Sequence, residues 1–213
     1  MTNTTRKKYL RFMRHGVTEL NVRNCWQGRA DSPLTELGRR QAAEAGEHMR
    51  EAGLAFDHIY CSPLGRVMET LETAIPDVAE RGFTTCDDLL EISFGSFDGH
   101  VHEPGDPHSP FKDFFVAYGG EDETDVERRI CTALDKIMSQ PDAFDVLVVS
   151  HGTVGRIFRN HWARNARVEA PRHLANCSLY TYEFDPESHG FSLVDIYEPA
   201  SATGPEDFDG SKK

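Results

Sequence analysis

Three short stretches of this chain end apolar runs with cationic or titratable side chains. They are Phe12-Met13-Arg14-His15-Gly16, Cys61-Ser62-Pro63-Leu64-Gly65-Arg66 and Val148-Val149-Ser150-His151-Gly152. Arg and His together suit a metal ion poorly, because a guanidinium does not ligate and repels cations. They suit a phosphate well, because the planar fork of Arg matches two phosphate oxygens at once. Gly16 and Gly152 follow the two histidines. They leave room for a ligand and expose backbone N–H groups at helix starts, which favour anions. In such a cradle His15 can attack phosphorus and form a covalent phosphohistidine while Arg14 neutralises the phosphoryl oxygens. The leaving oxygen then needs a proton. Glu91 stands in the otherwise apolar run Leu89-Leu90-Glu91-Ile92, where partial burial would favour the protonated form that a general acid needs. Asp87, Asp88 and Glu103 are the alternative acids.

This chemistry requires the three strand ends to meet. Residues 9–13 read as a strand. Residues 35–52 are rich in helix formers, with Thr35 placed to cap the helix and Gly53 to end it. A strand over 56–61 follows, then a helix opened by Ser62-Pro63 and running to about Ile75, with Pro63 in its first turn. Residues 84–90 form a weak extended segment. Residues 94–120 are irregular, with one short helix near 111–118. Val126, Ile130, Leu134 and Ile137 recur at helical spacing within 124–139. Residues 145–150, Asp-Val-Leu-Val-Val-Ser, are the best buried strand, and 152–162 are the helix after it. Two further strands are expected over 178–184 and 191–197. Strands alternate with helices, so the class is α/β, in which ligands bind outside the carboxyl ends of parallel strands. One domain is expected over 1–213, with 94–120 covering the substrate and 199–213 a frayed tail.

Composition narrows the partners. The 213 residues carry 35 Asp and Glu against 23 Lys and Arg, a net charge of −12. That sign disfavours nucleic acid and anionic membranes, yet permits a small anionic ligand in a local cationic pocket. The five Cys are scattered and form no Cys-x-x-Cys pair, which argues against a disulfide framework or zinc ribbon. His100, His102 and His108 invite a metal reading, but loop histidines more often face solvent or substrate, so no metal and no cofactor is expected. His48, His58, His161 and His189 read as structural or exposed, and Leu37, Ala42, Ala45 and Met49 as core. Trp26 either lines the pocket mouth or packs. No signal-like run or membrane span is visible, so a reducing cytoplasm is expected. Asn3-Thr4-Thr5 and Asn176-Cys177-Ser178 match a glycosylation pattern that carries no weight there.

The chain resembles the histidine phosphatase superfamily, which includes the cofactor-dependent phosphoglycerate mutases. The resemblance rests on five ordered blocks: Arg14-His15-Gly16 with Thr18 and Asn21; Gln27-Gly28 leading into Asp31-Ser32-Pro33-Leu34-Thr35-Glu36-Leu37-Gly38; Ser62-Pro63-Leu64 with Arg66 and Thr70; Glu91 with Phe94-Gly95 and Asp98-Gly99; and Ser150-His151-Gly152. It implies a three-layer sandwich with a mainly parallel central sheet, of the phosphoglycerate mutase type, and chemistry without a metal. It implies His15 as the phosphorylated nucleophile, Arg14, Arg66 and His151 as phosphate ligands, and Glu91 as proton donor and later base. Asn21, Gln27 and Gly28 fall where family members contact phosphate or substrate. Val67 and Glu69 depart from the usual block and are expected to alter packing alone. The segment between Gly99 and Asp125 is shorter than the substrate-gripping insertion of the mutases, which favours a phosphatase. A mutase, or a non-catalytic phospho-ligand binding module on the same fold, are the rivals. The expected partner is a small phosphorylated metabolite, with a homodimer left open.

Overall fold

The computed structural model describes residues 6–103, 105–107 and 111–202. Asn3, His108 and the stretch 203–213 of the expected tail lie outside them. In chain order the elements are β1 (Lys8–Arg14), α1 (Glu19–Val22), α2 (Glu36–Glu51), β2 (His58–Cys61), α3 (Gly65–Ala74), α4 (Val78–Arg81), β3 (Thr84–Thr85), α5 (Glu123–Met138), β4 (Asp145–Ser150), α6 (Gly152–His161), β5 (Leu179–Asp185) and β6 (Gly190–Tyr197).

The run Asp145–Ser150 becomes β4, and every residue after Asp145 is buried. A strand apolar on both faces belongs inside a sheet covered on both sides. β4 accordingly lies between β2 and β1 in a sheet of order β3-β2-β4-β1-β5-β6. Its first four strands run parallel, whereas β5 and β6 are antiparallel to their neighbours. Alternate side chains point to opposite faces. Phe12, Val146 and Val148 meet Val126, Ile130 and Leu134 of α5 and Phe158 of α6. Met13, Leu147 and Val149 meet Ala42, Ala45 and Met49 of α2 and Val67 and Leu71 of α3. The result is a helix–sheet–helix sandwich.

Local signals explain most boundaries. Thr35 Oγ1 accepts from Gly38 N at 3.0 Å and starts α2. Gly53, with φ +64°, follows its end. Leu37 is only half-buried, while Ala42, Ala45 and Met49 are core. Three expectations need correction. α3 begins at Gly65, so Ser62-Pro63 does not open it. Ser62 is occupied elsewhere: its N–H donates to Val149 O at 3.0 Å and its hydroxyl pairs with His151 at 2.8 Å. The helix start is capped from a distance by Asp31, which accepts from Gly65 N at 2.6 Å. The extended segment over 84–90 shrinks to Thr84–Thr85, because Asp87–Leu89 turn as a 3-10 helix. The short helix near 111–118 is a 3-10 helix over Phe114–Tyr118.

Trp26 packs rather than lining a pocket mouth. It is 4% exposed among Phe94, Phe111 and Phe115, its indole N–H donates to Asp106 at 2.9 Å, and His102 lies across its ring. His48 stacks on Tyr197, and His58, His161 and His189 sit beside surface carboxylates. Among the described residues, no helix is long and apolar enough to cross a membrane.

Candidate active site

β2, β4 and β1 are parallel neighbours, so their carboxyl ends emerge side by side. Arg14 is in register with Ser150, and Cys61 with Val149. The next residues on each strand are His15, His151 and Ser62. His15 N donates to Ser150 O at 3.0 Å, which extends the pairing by one residue. The rings of His15 and His151 then stand 5.4 Å apart, edge to face at 68°.

His15 is 3% exposed. Its Nδ1 lies 2.8 Å from Gly16 O. A carbonyl only accepts, so Nδ1 carries the proton and Nε2 keeps the lone pair. Burial above all, then the charges of Arg66 and Arg14, hold the His15 pKa well below its ordinary value, against the opposing pull of the Gly16 carbonyl. The ring is therefore a neutral base at neutral pH. His151 is fully buried, and burial, then Arg66, then His15 depress its pKa in the same way.

Arg66 is 1% exposed. It donates to Gly28 O and Ala30 O, each at 2.8 Å, to Asp31 Oδ1 at 3.2 Å and to His151 Nδ1 at 3.1 Å. Arg14 donates to Leu174 O at 2.5 Å. Each guanidinium also has a buried Nε without a hydrogen-bond partner. Charged donors buried unpaired are costly, and an anion is what would satisfy both. Burial pulls the pKa of each arginine down, and the Glu91 carboxylate is the foremost influence opposing it in both.

Glu91 reaches this cluster from the segment after β3. It is 7% exposed, whereas Asp87, Asp88 and Glu103 are exposed on the surface. Its carboxylate accepts from Ile92 N, Thr153 N and Val154 N at 3.0, 3.0 and 3.1 Å. It thus caps α6, directly beyond His151-Gly152. Its backbone carbonyl accepts from Arg29 Nε at 2.7 Å and from Arg129 at 3.2 Å, and Glu121 pairs with both of these arginines.

The remaining candidates are placed as follows. Gly152 sits where a Cβ would come within 3.0 Å of Arg14 Nε. Gly28 has φ +48°, and a Cβ there would fall 1.8 Å from Asp98 Oδ1. Only glycine fits that bend, which brings the Gly28 carbonyl to Arg66. Asn21 and Gln27 brace each other at 3.3 Å, with Thr18 donating to Gln27 Oε1 at 3.1 Å. Their hydrogen bonds therefore organise the turn before Gly28. Val67 is core, and Glu69 accepts from Leu34 N and pairs with Arg39.

Asp31, Ser62, Thr70 and Asn176 were not singled out for roles from the sequence, yet they grip the site. Asp31 lay in a matched block without a role of its own. Asn176 offers a glycosylation pattern without weight and a position just before a strand.

Residues 10–197 match the histidine phosphatase superfamily (branch 1), and the chain belongs to that superfamily. A probable phosphoglycerate mutase GpmB of Yersinia pestis is 32% identical over 184 residues, covering 81% of this chain and 83% of the relative. Among solved structures, Bacillus stearothermophilus YhfR superposes with a TM-score of 0.72 at 26% identity, over 93% of this chain and 98% of that one. A mycobacterial glucosyl-3-phosphoglycerate phosphatase shares the fold, with a TM-score of 0.69 at 23% identity over 91% of this chain and 100% of that one. The central sheet and its helical layers are those of the phosphoglycerate mutase fold.

Proposed function

We propose that this chain hydrolyses a small phosphorylated metabolite through a phosphohistidine intermediate, without a metal. One observation carries the reading. A buried neutral His15, its Nδ1–H committed to Gly16 O, stands with two arginines that each keep a buried unpartnered Nε. The arginines would take the phosphoryl oxygens, and His151 would complete the cradle. His15 Nε2 attacks phosphorus in line; the N–P bond forms as the P–O bond to the leaving group breaks. Glu91 would enter this step protonated and give that proton to the leaving oxygen, becoming the carboxylate that the N–H groups of Ile92, Thr153 and Val154 hold. A water then attacks phosphorus, Glu91 takes its proton, the N–P bond breaks, and His15 is regenerated with inorganic phosphate released.

The mutase reading draws on the name of the Yersinia pestis relative. Against it, residues 99–120 contain Lys112 as their sole Lys or Arg beside Glu103, Asp106 and Asp113. That charge balance favours a substrate without a carboxylate to grip.

Turnover of p-nitrophenyl phosphate in the presence of EDTA tests the phosphatase. His15→Ala should abolish both turnover and an acid-labile phosphoenzyme. Activity retained above about a hundredth of wild type would remove His15 as the nucleophile. Conversion of 3-phosphoglycerate primed by its bisphosphate, outpacing hydrolysis, would establish the mutase instead.

A further inference from the structure

The hydrogen bond that orients the His15 ring is made to the Gly16 carbonyl, and glycine is the residue with the least conformational preference. The orientation of that hydrogen bond therefore depends on the peptide groups on either side of Gly16. The peptide between His15 and Gly16 is pinned at both ends. Its carbonyl, on His15, accepts from Asn176 Nδ2 at 2.9 Å, and its N–H, on Gly16, donates to Thr70 Oγ1 at 3.1 Å. The pins come from opposite neighbours. Asn176 precedes β5, and Thr70 belongs to α3. The Thr70 hydroxyl proton is itself spent on Arg66 O at 2.6 Å, so its oxygen is free to accept. The same turn before β5 also holds Arg14: Cys177 N donates to Arg14 O, Arg14 N to Ser178 O and the Arg14 guanidinium to Leu174 O.

This grip is made at a cost. Asn176 is fully buried, and its Oδ1 has no hydrogen-bond partner. Cys177 beside it has φ +56°, a conformation that side chains other than glycine avoid. A buried unsatisfied amide and a strained neighbour persist only where the surroundings over-determine them, and they gather at functional sites. We infer that Asn176 and Thr70 are positioning residues that clamp the His15–Gly16 peptide and thereby aim Nε2 of the nucleophile.

The inference rests on the phosphohistidine reading above. Its test uses the full chain as wild type, Asn176→Ala, Asn176→Asp and Thr70→Val. Steady-state turnover of p-nitrophenyl phosphate is paired with nitrogen NMR of the His15 ring without substrate. Asn176→Asp keeps the shape but loses the donor when ionised. The clamp variants should show kcat lower by about 10–100-fold with KM within about twofold, the size of loss that misaligned attack produces. Their His15 signals should move from the single Nδ1–H tautomer toward a mixture. Unchanged kcat with an unmoved ring signal, in variants of native melting temperature, overturns the clamp. If Asn176→Ala does not fold, Asn176→Asp and Thr70→Val read the same peptide from its two ends. If wild type itself shows no turnover, the phosphatase reading falls, and the NMR arm still decides the clamp.

Discussion

Arg66 and His151 share a hydrogen bond of 3.1 Å in which only the guanidinium can donate. His151 Nδ1 is therefore the acceptor, and its proton sits on Nε2, toward Ser62 Oγ at 2.8 Å. The arginine thus selects the tautomer of the histidine, while its other amino donors go to Gly28 O, Ala30 O and Asp31 Oδ1 and its Nε keeps no partner.

Lysine cannot reproduce that fork. A single ammonium would reach one of these acceptors and leave the others, and His151, without a donor. Arg66→Lys should lower kcat/KM by about 10²–10³-fold, the scale seen when one preorganised anion donor is removed. Steady-state kinetics on p-nitrophenyl phosphate measure it. A loss below tenfold would mean that charge alone suffices.

Glu91 combines a proposed chemical role with a structural one. Glu91→Gln puts an amide N–H₂ where an oxygen now accepts backbone N–H groups at the start of α6. Stability should fall by about 1–3 kcal/mol, the cost of leaving a buried partner unsatisfied, read by urea denaturation. Turnover of alkyl phosphates should fall far more than that of p-nitrophenyl phosphate, whose leaving group needs no acid. Equal slowing would place the acid elsewhere, with Glu103 the next residue to substitute.

The two buried histidines predict an acid limb of stability. Both are held well below the ordinary value of 6.5, chiefly by burial and then by Arg66. In the unfolded chain they take up protons near that value, while in the fold they remain neutral. As pH falls through about 6.5, the unfolded state gains protons that the native state does not. Stability is thus lost by up to about 1.4 kcal/mol per pH unit for each histidine, and above that pH this pair adds no dependence. Urea melts from pH 7.5 to 5.5 test the slope, which His151→Asn should reduce. An unchanged slope in that variant would exclude His151 as a source.

Asp31 links the start of α3 to the buried Arg66. Asp31→Ala removes the acceptor for Gly65 N and a carboxylate partner of Arg66. Stability should fall by about 1 kcal/mol, as for loss of a helix cap, and vanadate should bind more weakly as Arg66 loses its brace. Calorimetric melting and vanadate titration read the two effects separately. Unaltered vanadate binding would confine Asp31 to the helix.

Arg14, His15 and His151 were legible because each ends an apolar strand, and Arg66 because it opens the helix that follows one; α/β sheets gather such ends. β4 was legible because its whole run is apolar, and α2 because Thr35 and Gly53 mark its ends. The start of α3 was misread because its cap comes from Asp31, far back in the chain, while Ser62 is drawn to His151. The contact made by Asn176 is not legible in the sequence for a related reason. Its bond to the His15 carbonyl exists only after β5 has paired with β1, and nothing in the stretch 174–178 announces that crossing. Trp26 has two readings in the sequence because the rings that enclose it, Phe94, Phe111 and Phe115, come from far along the chain.

The position of β1 has a consequence for how the molecule is made. It is the first strand in the chain, yet its neighbours are β4 on one side and β5 on the other. Among the described elements β1 precedes both of its partner strands. It has no edge to join until Asp145–Ser150 follows, and Asn176 reaches it later still. Pairings so distant along the chain close slowly. Arg14 and Arg66 both precede β4 in the chain, so they should gain His151 and the Leu174 carbonyl as neighbours only after β4 and the turn before β5 have docked.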